Sequence, residues 1–251
     1  MSKSGLEMLD ELIVELEASV GTSNSKVSTA KKGEANGGEK KSGGKKGGDD
    51  VSAPQNAKKE KKEKKEKGGG GETNTKPQSN EPSVNLLELR VGVITSVKKH
   101  ETADKLYCEE IDIGEAEPRQ IASGLVPHYT LEEMEGRRLI VVANLKPRNL
   151  VGFKSSGMVL CAAKPQEDGS EKVEFVDPPA EAKPGDRIIG TGLDLVDPLS
   201  PSQEAKQKMF LKVGELLKVN EKGEATWNGA VLTTEAGGVC TAPTLRDAVM
   251  R

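Results

Sequence analysis

Three observations predict a mostly β fold. Five short strand-like runs follow one another from residue 86, a helical turn separates the third from the fourth, and nothing before residue 84 shares that texture. That order of elements describes an OB-fold, a partly open five-stranded barrel, here over residues 84–163. A β-rich module over 164–251 is expected to pack on it, preceded by a short N-terminal helix (1–21) and a disordered Lys/Gly/Ser-rich linker (22–83).

The helix is predicted from a capping box at Ser4 and Glu7 and from Leu6, Leu9, Ile13, Leu16 and Val20, spaced three, four, three and four apart. Asp10, Glu11, Glu15 and Glu17 occupy its other face, and Gly21 supplies the stop. A narrow apolar seam with no adjacent sequence to cover it calls for a partner helix. Residues 22–83 hold almost no large apolar side chain, so the chain there cannot offset its ordering entropy by burial. Within them, residues 58–67 read KKEKKEKKEK, with seven Lys and three Glu. This is either a tether or an electrostatic arm for phosphates.

From Leu86 the pattern alternates and becomes β-branched. Residues 86–97 read as a long strand with a bend or bulge at Gly92, 106–113 as a second and 119–122 as a short third. Residues 131–134 form the helical turn, and 139–143 and 158–163 the fourth and fifth strands. Strands are expected near 173–176, 186–189, 216–219 and 239–240, a helix near 202–210, and a hairpin at Asn228-Gly229.

Between the fourth and fifth strands lies a loop rich in Pro, Gly, Asn and Ser. The stretch 136–166 around it carries Arg137, Arg138, Lys146, Arg148, Lys154 and Lys164 and no Asp or Glu before residue 167. Charge is segregated along the chain. Residues 1–20 carry a net −4, 21–80 a net +7 and 86–251 a net −5, so an acid-free basic loop stands out within an acidic domain. It can present cations and hydrogen-bond donors to a polyanion.

Other chemistries lack their signatures. There is no P-loop, nucleophile elbow or dinucleotide fingerprint, so no catalytic activity and no cofactor are expected. With two His and three Cys and no CxxC, neither a metal site nor a disulfide framework is expected, and Cys108, Cys161 and Cys240 read as reduced core thiols. Asp104, Glu109 and Glu110 read as solvated carboxylates. No apolar run approaches a membrane span and no signal peptide is apparent, which points to a cytoplasmic protein.

The blocks LRVG (89–92), HETADKL (100–106), YCEEID (107–112), SGL (123–125), NLKP (144–147), GFKS (152–155) and MVLCA (158–162) occur in one order. Together they resemble the tRNA-binding domain of the endothelial-monocyte-activating polypeptide II type. That domain is found on some methionyl- and tyrosyl-tRNA synthetases and on cofactors of synthetase complexes. The resemblance covers about residues 84–251. It implies an OB-fold that binds the L-shaped corner of tRNA, and a C-terminal module occupying the surface that simpler bacterial relatives use to dimerise, hence a monomeric domain. It also implies a noncatalytic cofactor whose partners are tRNA and, through the N-terminal helix, an aminoacyl-tRNA synthetase or complex scaffold. Alternatives on the same fold are a protein-interaction or chaperone-like module and a cleaved signalling fragment. Carried onto matching positions, the RNA-binding residues are Asn144, Lys146, Ser155 and Met158, with Arg148 and Lys154 as neighbours and His100 and Lys105 flanking the groove. The chain departs from the family pattern at Glu101, Thr102 and Val151, the last standing where an Arg is usual.

Overall fold

A computed structural model describes residues 81–251. The seam residues Leu6, Leu9, Ile13, Leu16 and Val20 and the lysine tract lie outside the described residues. The described chain enters through a single 3-10 turn, Val84–Leu86, capped by the Ser83 hydroxyl on the Asn85 N–H. It continues through β1 (Leu89–Lys99), β2 (Tyr107–Asp112), β3 (Arg119–Ser123), α1 (Leu131–Met134), β4 (Arg138–Val142), β5 (Arg148–Leu150), β6 (Phe153–Ser155) and β7 (Met158–Val159). Strand β1 pairs antiparallel with β2 through residues 93–99 and with β4 through 89–93; β2 pairs β3 and β4 pairs β7. The ring closes where the Ser156 N–H donates to the Gln120 carbonyl at 2.8 Å and the Ala122 N–H donates to Ser155 Oγ at 3.0 Å. This is the expected OB barrel, with the small helix between its third and fourth strands.

Gly92 is not the bend. The register shift in β1 falls between Ile94 and Ser96, and Gly92 sits in regular pairing opposite Leu139. A Cβ there would meet Ile111 Cγ2 at 2.8 Å, so the missing side chain allows close packing across the barrel.

The chain then runs through β8 (Cys161–Pro165), β9 (Glu171–Phe175), β10 (Arg187–Gly190), α2 (Pro201–Gln207), α3 (Met209–Gly214), β11 (Leu217–Val219), β12 (Ala225–Trp227), β13 (Ala230–Thr234), β14 (Gly237–Val239) and β15 (Ala248–Met250). The β12–β13 hairpin turns at Asn228 (φ 48°) and Gly229 (φ 86°), as an Asn-Gly pair between apolar strands requires. Strand β15 was not anticipated from sequence; it lies between β11 and β8. The expected fifth strand divides at Leu160: β7 completes the barrel, while β8 pairs with β9 and β15. Residues 81–251 therefore belong to one compact unit.

Strand β4 explains how one unit is made. Leu139 and Val141 point into the barrel with Ile94, Ile111, Ile121 and Phe175. Ile140 and Val142 point the other way, into a second core with Val91, Leu160, Phe210, Val213, Trp227 and Leu232. Both faces of the strand are buried, so its sequence is apolar throughout. The Trp227 indole N–H donates to the Val213 carbonyl at 3.0 Å, which satisfies its polar edge inside the core.

Glu109 contradicts the expectation of a solvated carboxylate. It is fully buried on the inward face of β2, beside Tyr107 and Ile111. One oxygen accepts from the Ser123 hydroxyl; the other has no partner among the described residues. Burial pushes its pKa up to about 8, against the pull of the Ser123 hydrogen bond. Between the ordinary carboxylate value of 4.5 and about 8 the native chain holds a proton that the unfolded chain has lost. Stability should therefore fall as pH rises through that window, by at most about 1.4 kcal/mol per unit. Glu109→Gln is expected to flatten this slope in urea titrations and to gain on the order of 2 kcal/mol at pH 8. An unchanged slope would remove Glu109 as its source.

Candidate nucleic-acid interface

The basic loop folds as a hairpin. Strands β5 and β6 pair through Arg148 with Ser155, Asn149 with Lys154 and Leu150 with Phe153. Val151 (φ 50°) and Gly152 (φ 91°) form the two-residue turn, whose positive φ values suit the twist of the arms. A β-branched residue is costly in that conformation. Val151 offsets part of the cost by packing with Phe153 against Ala103, Leu106, Ala122 and Leu150. That small cluster fastens the hairpin to the 100–106 loop.

Strand alternation sorts the candidate residues. Arg148, Leu150, Phe153 and Ser155 share one face of the hairpin; Asn149 and Lys154 share the other, exposed one. The inner face borders a cleft of about 260 Å³. Lys146, Arg148 and Met158 line it from the barrel, together with Leu145 and Leu150, and Glu204, Ala205, Lys208 and Leu211 line it from α2 and α3. Lys154 points away from this cleft, so the six basic residues of the stretch do not act as one patch. His100 lies at the hairpin's tip, in a separate shallow depression with Lys98, Lys99, Val151 and Phe153. Its ring Nδ1 accepts the Thr102 N–H at 3.2 Å, and its own backbone N–H closes the loop onto the Leu106 carbonyl. Lys105 is exposed on the same loop and borders neither depression.

Two of the expected RNA-binding residues are buried and bonded within the protein. Asn144 is buried, 1% exposed, and its amide is spent inside the protein. Its oxygen accepts the Glu88 N–H at 3.0 Å, and its nitrogen donates to the carbonyls of Leu86 at 3.1 Å and Leu199 at 3.0 Å. Ser155 is buried too; its hydroxyl accepts from Ala122 and donates to the Gly157 carbonyl at 3.0 Å. Neither side chain can reach an incoming group while these bonds hold. Asn144 positions α2 by holding the residue before its N-cap, and Ser155 closes the barrel beneath the cleft. Arg119 reinforces that closure by donating to the carbonyls of Ala143 at 2.5 Å and Ser156 at 3.1 Å.

Sequence reasoning missed the contribution of α2 and α3. Helix α2 begins with a capping box at Ser200 and Gln203 and a Pro at its first turn. It ends at Lys208, whose left-handed backbone (φ 51°, ψ 44°) breaks it from α3. No side chain of Lys208 caps α3; the buried Glu204 carboxylate does so, accepting the Phe210 N–H at 3.1 Å. Burial raises the Glu204 pKa, while this bond and the nearby Arg148 charge oppose the rise. The cleft thus presents three cations, one buried acid and an apolar floor. Such a surface can hold phosphate oxygens at its rim and an uncharged planar or aliphatic group below.

A barrel of this topology is an OB domain, a class that binds oligonucleotides and oligosaccharides. The chain belongs to the tRNA binding domain family (tRNA_bind), whose model matches residues 89–187. It is 41% identical over 163 residues to the "aminoacyl tRNA synthase complex-interacting multifunctional protein 1" of Mus musculus, covering 64% of this chain and 50% of that one. It is 39% identical over 173 residues to the cytoplasmic tyrosine–tRNA ligase of Xenopus tropicalis, covering 69% of this chain and 32% of the ligase. The chain therefore spans half or less of these curated relatives. Among solved structures, the C-terminal domain of Plasmodium vivax p43 superposes with a TM-score of 0.61 at 31% identity, over 68% of this chain and 99% of that domain.

Replacing Asn144 by Ala removes the acceptor of the Glu88 N–H and the donor to the buried Leu199 carbonyl, at about 1–3 kcal/mol each, while the Leu86 carbonyl keeps the Leu199 N–H. The midpoint of thermal unfolding is expected to fall by about 6 °C or more, at roughly 2–4 °C per kcal/mol for a domain of this size. A shift of a degree or less would mean that the amide carries no such role.

Proposed function

We propose that this chain is a noncatalytic tRNA-binding protein that supplies structured RNA to an aminoacyl-tRNA synthetase or a synthetase complex in the cytoplasm. The observation that carries the reading is the cleft lined by Lys146, Arg148 and Lys208, in a chain of the tRNA-binding domain family. Relatives that share this domain include a synthetase-complex protein and cytoplasmic tRNA ligases. The domain's own net charge is −5, so attraction at a distance does not bring RNA to it; the local cations and the +7 stretch 21–80 do. Phosphate contacts of this kind fix orientation and carry little sequence information, which suits a protein serving more than one tRNA. The exposed Lys154 on the hairpin's outer face adds a phosphate contact beyond the cleft.

The seam of Leu6, Leu9, Ile13, Leu16 and Val20 is the proposed docking element for the synthetase partner. The domain is proposed to be monomeric, because the outer face of β4 is covered by the chain's own C-terminal module. No helix among the described residues is long and apolar enough to cross a membrane.

Filter binding of bulk tRNA tests the reading. Lys146→Ala with Lys208→Ala is expected to weaken binding more than tenfold and to lower the salt slope by about 1.4 to 1.8 units, at roughly 0.7–0.9 per phosphate. Lys218→Ala with Lys222→Ala, outside the cleft, should stay within about twofold by the same reasoning. Equal losses in both pairs would make the binding diffuse and the cleft irrelevant. Removing residues 1–80 is expected to lower the slope by a further two to four units or so; an identical slope would reduce the lysine tract to a spacer.

A further inference from the structure

The cleft has a floor that phosphate binding does not need. Leu145, Leu150, Met158, Ala205 and Leu211 line it beneath the cations, and no aromatic ring is among its lining residues. Its 260 Å³ lies just below the size of pockets that enclose drug-sized ligands, which leaves room for one planar ring system and not for a helix. Glu204 stands in the wall, 5% exposed. One of its oxygens caps α3 through the Phe210 N–H, which fixes the carboxylate's orientation. A carboxylate offers about four lone-pair directions, so capping one N–H leaves acceptor capacity. A Gln could cap the helix equally well without the cost of burying an acid. What Glu adds is a surface that only accepts hydrogen bonds.

We infer that the cleft takes one unstacked nucleobase carrying an exocyclic amino group, guanine before the others, with its ring between Met158 and Leu211 and its amino edge toward Glu204. Guanine places N1–H and the N2 amino group side by side, so both can donate to one carboxylate. Cytosine and adenine offer one amino group, and uracil a single ring N–H between two carbonyls that a carboxylate repels. Lys146, Arg148 and Lys208 hold the flanking phosphates. Bases within an A-form helix are stacked and paired, so the base comes from a loop, a bulge or an end. Methionine and leucine provide the stacking surface, with the polarizable thioether against the ring face. The inference deepens the tRNA-binding reading and rests on it.

The test uses the full chain, 15N-labelled, titrated separately with guanosine and uridine 5′-monophosphates while the amides of Gly157, Ala205 and Leu211 are followed. Guanosine monophosphate is expected to shift these amides and to bind at least fivefold more tightly than uridine monophosphate. Glu204→Gln keeps an oxygen for the α3 cap but turns the remaining acceptor into a donor. It is expected to unfold at the wild-type temperature within about two degrees and to lose the guanine preference. Leu211→Trp should fill the cleft and abolish both titrations. Bulk tRNA binding is measured on the same samples, and there Leu211→Trp is expected to cost threefold or more. If the wild type binds tRNA but guanosine and uridine monophosphates bind alike, or neither moves the cleft amides, the base pocket is wrong and the tRNA reading stands. If the wild type does not bind tRNA at all, that reading fails and takes this inference with it. Retained guanine preference in Glu204→Gln also overturns the role assigned to the carboxylate.

Discussion

The structure depends on the amide of Asn144. It sits where β4 leaves the barrel, and its three hydrogen bonds reach the entry turn at Leu86, the start of β1 at Glu88 and the residue before α2 at Leu199. These segments are more than fifty residues from it on either side. Asn85 does the same one layer away, accepting from the Gly190 N–H at 2.8 Å and donating to the Asp194 carbonyl at 3.0 Å. Both side chains are buried, and the bonds they make satisfy the Glu88 and Gly190 N–H groups and the Leu199 carbonyl. Two short polar side chains thereby position an irregular segment, 191–200, that has no ladder of its own.

That segment delivers α2 and α3 to the barrel. Once Leu199 is held, the Ser200 capping box starts α2 beside β5, and Lys208 and Leu211 reach the cleft that the hairpin opens. The apolar faces follow the same logic. Ile140 and Val142 would lie on a bare outer surface of the barrel if the module were absent; Phe210, Val213 and Trp227 cover them. Glu174 fastens the other side of the module. It accepts from the Thr244 hydroxyl and from the Thr244 and Leu245 N–H groups at 2.8 and 2.9 Å, and pairs with Lys172 at 3.0 Å. Burial alone would raise its pKa, yet these bonds hold it at about 2. Its contribution is therefore present above the ordinary carboxylate value of 4.5 and fades as pH falls from there toward 2.

The barrel was legible in the sequence because its signals are local. Alternation marked β1 and β2, an uninterrupted apolar run marked β4, and Asn228-Gly229 marked its hairpin. The site was legible only in part. Lys146 and Arg148, singled out by the acid-free loop, and Met158, singled out by the family resemblance, all line the cleft. Asn144 and Ser155 carry the same polar atoms whether they face solvent or close a core, and only burial tells the two apart. Lys154 was grouped with its neighbours because charge counting ignores the two-residue period that turns it outward. Glu204, Lys208 and Leu211 lie some fifty residues further on, in a stretch whose spacing announces a helix but not what the helix touches. Gly92 was read as a bend for a similar reason: a glycine in a strand signals missing bulk, and whether that serves bending or close packing depends on Ile111 across the barrel.

Barrel and module are proposed to build one RNA-binding surface between them. Photo-crosslinking from single benzoylphenylalanine substitutions in the full chain, at Lys146 on the barrel and at Lys208 on the module, addresses it most directly. Both positions are expected to cross-link to bulk tRNA and to map within a few nucleotides of each other, while the same group at Lys222 gives no adduct. Cross-linking from position 146 with none from 208 would contradict the claim and confine the interface to the barrel.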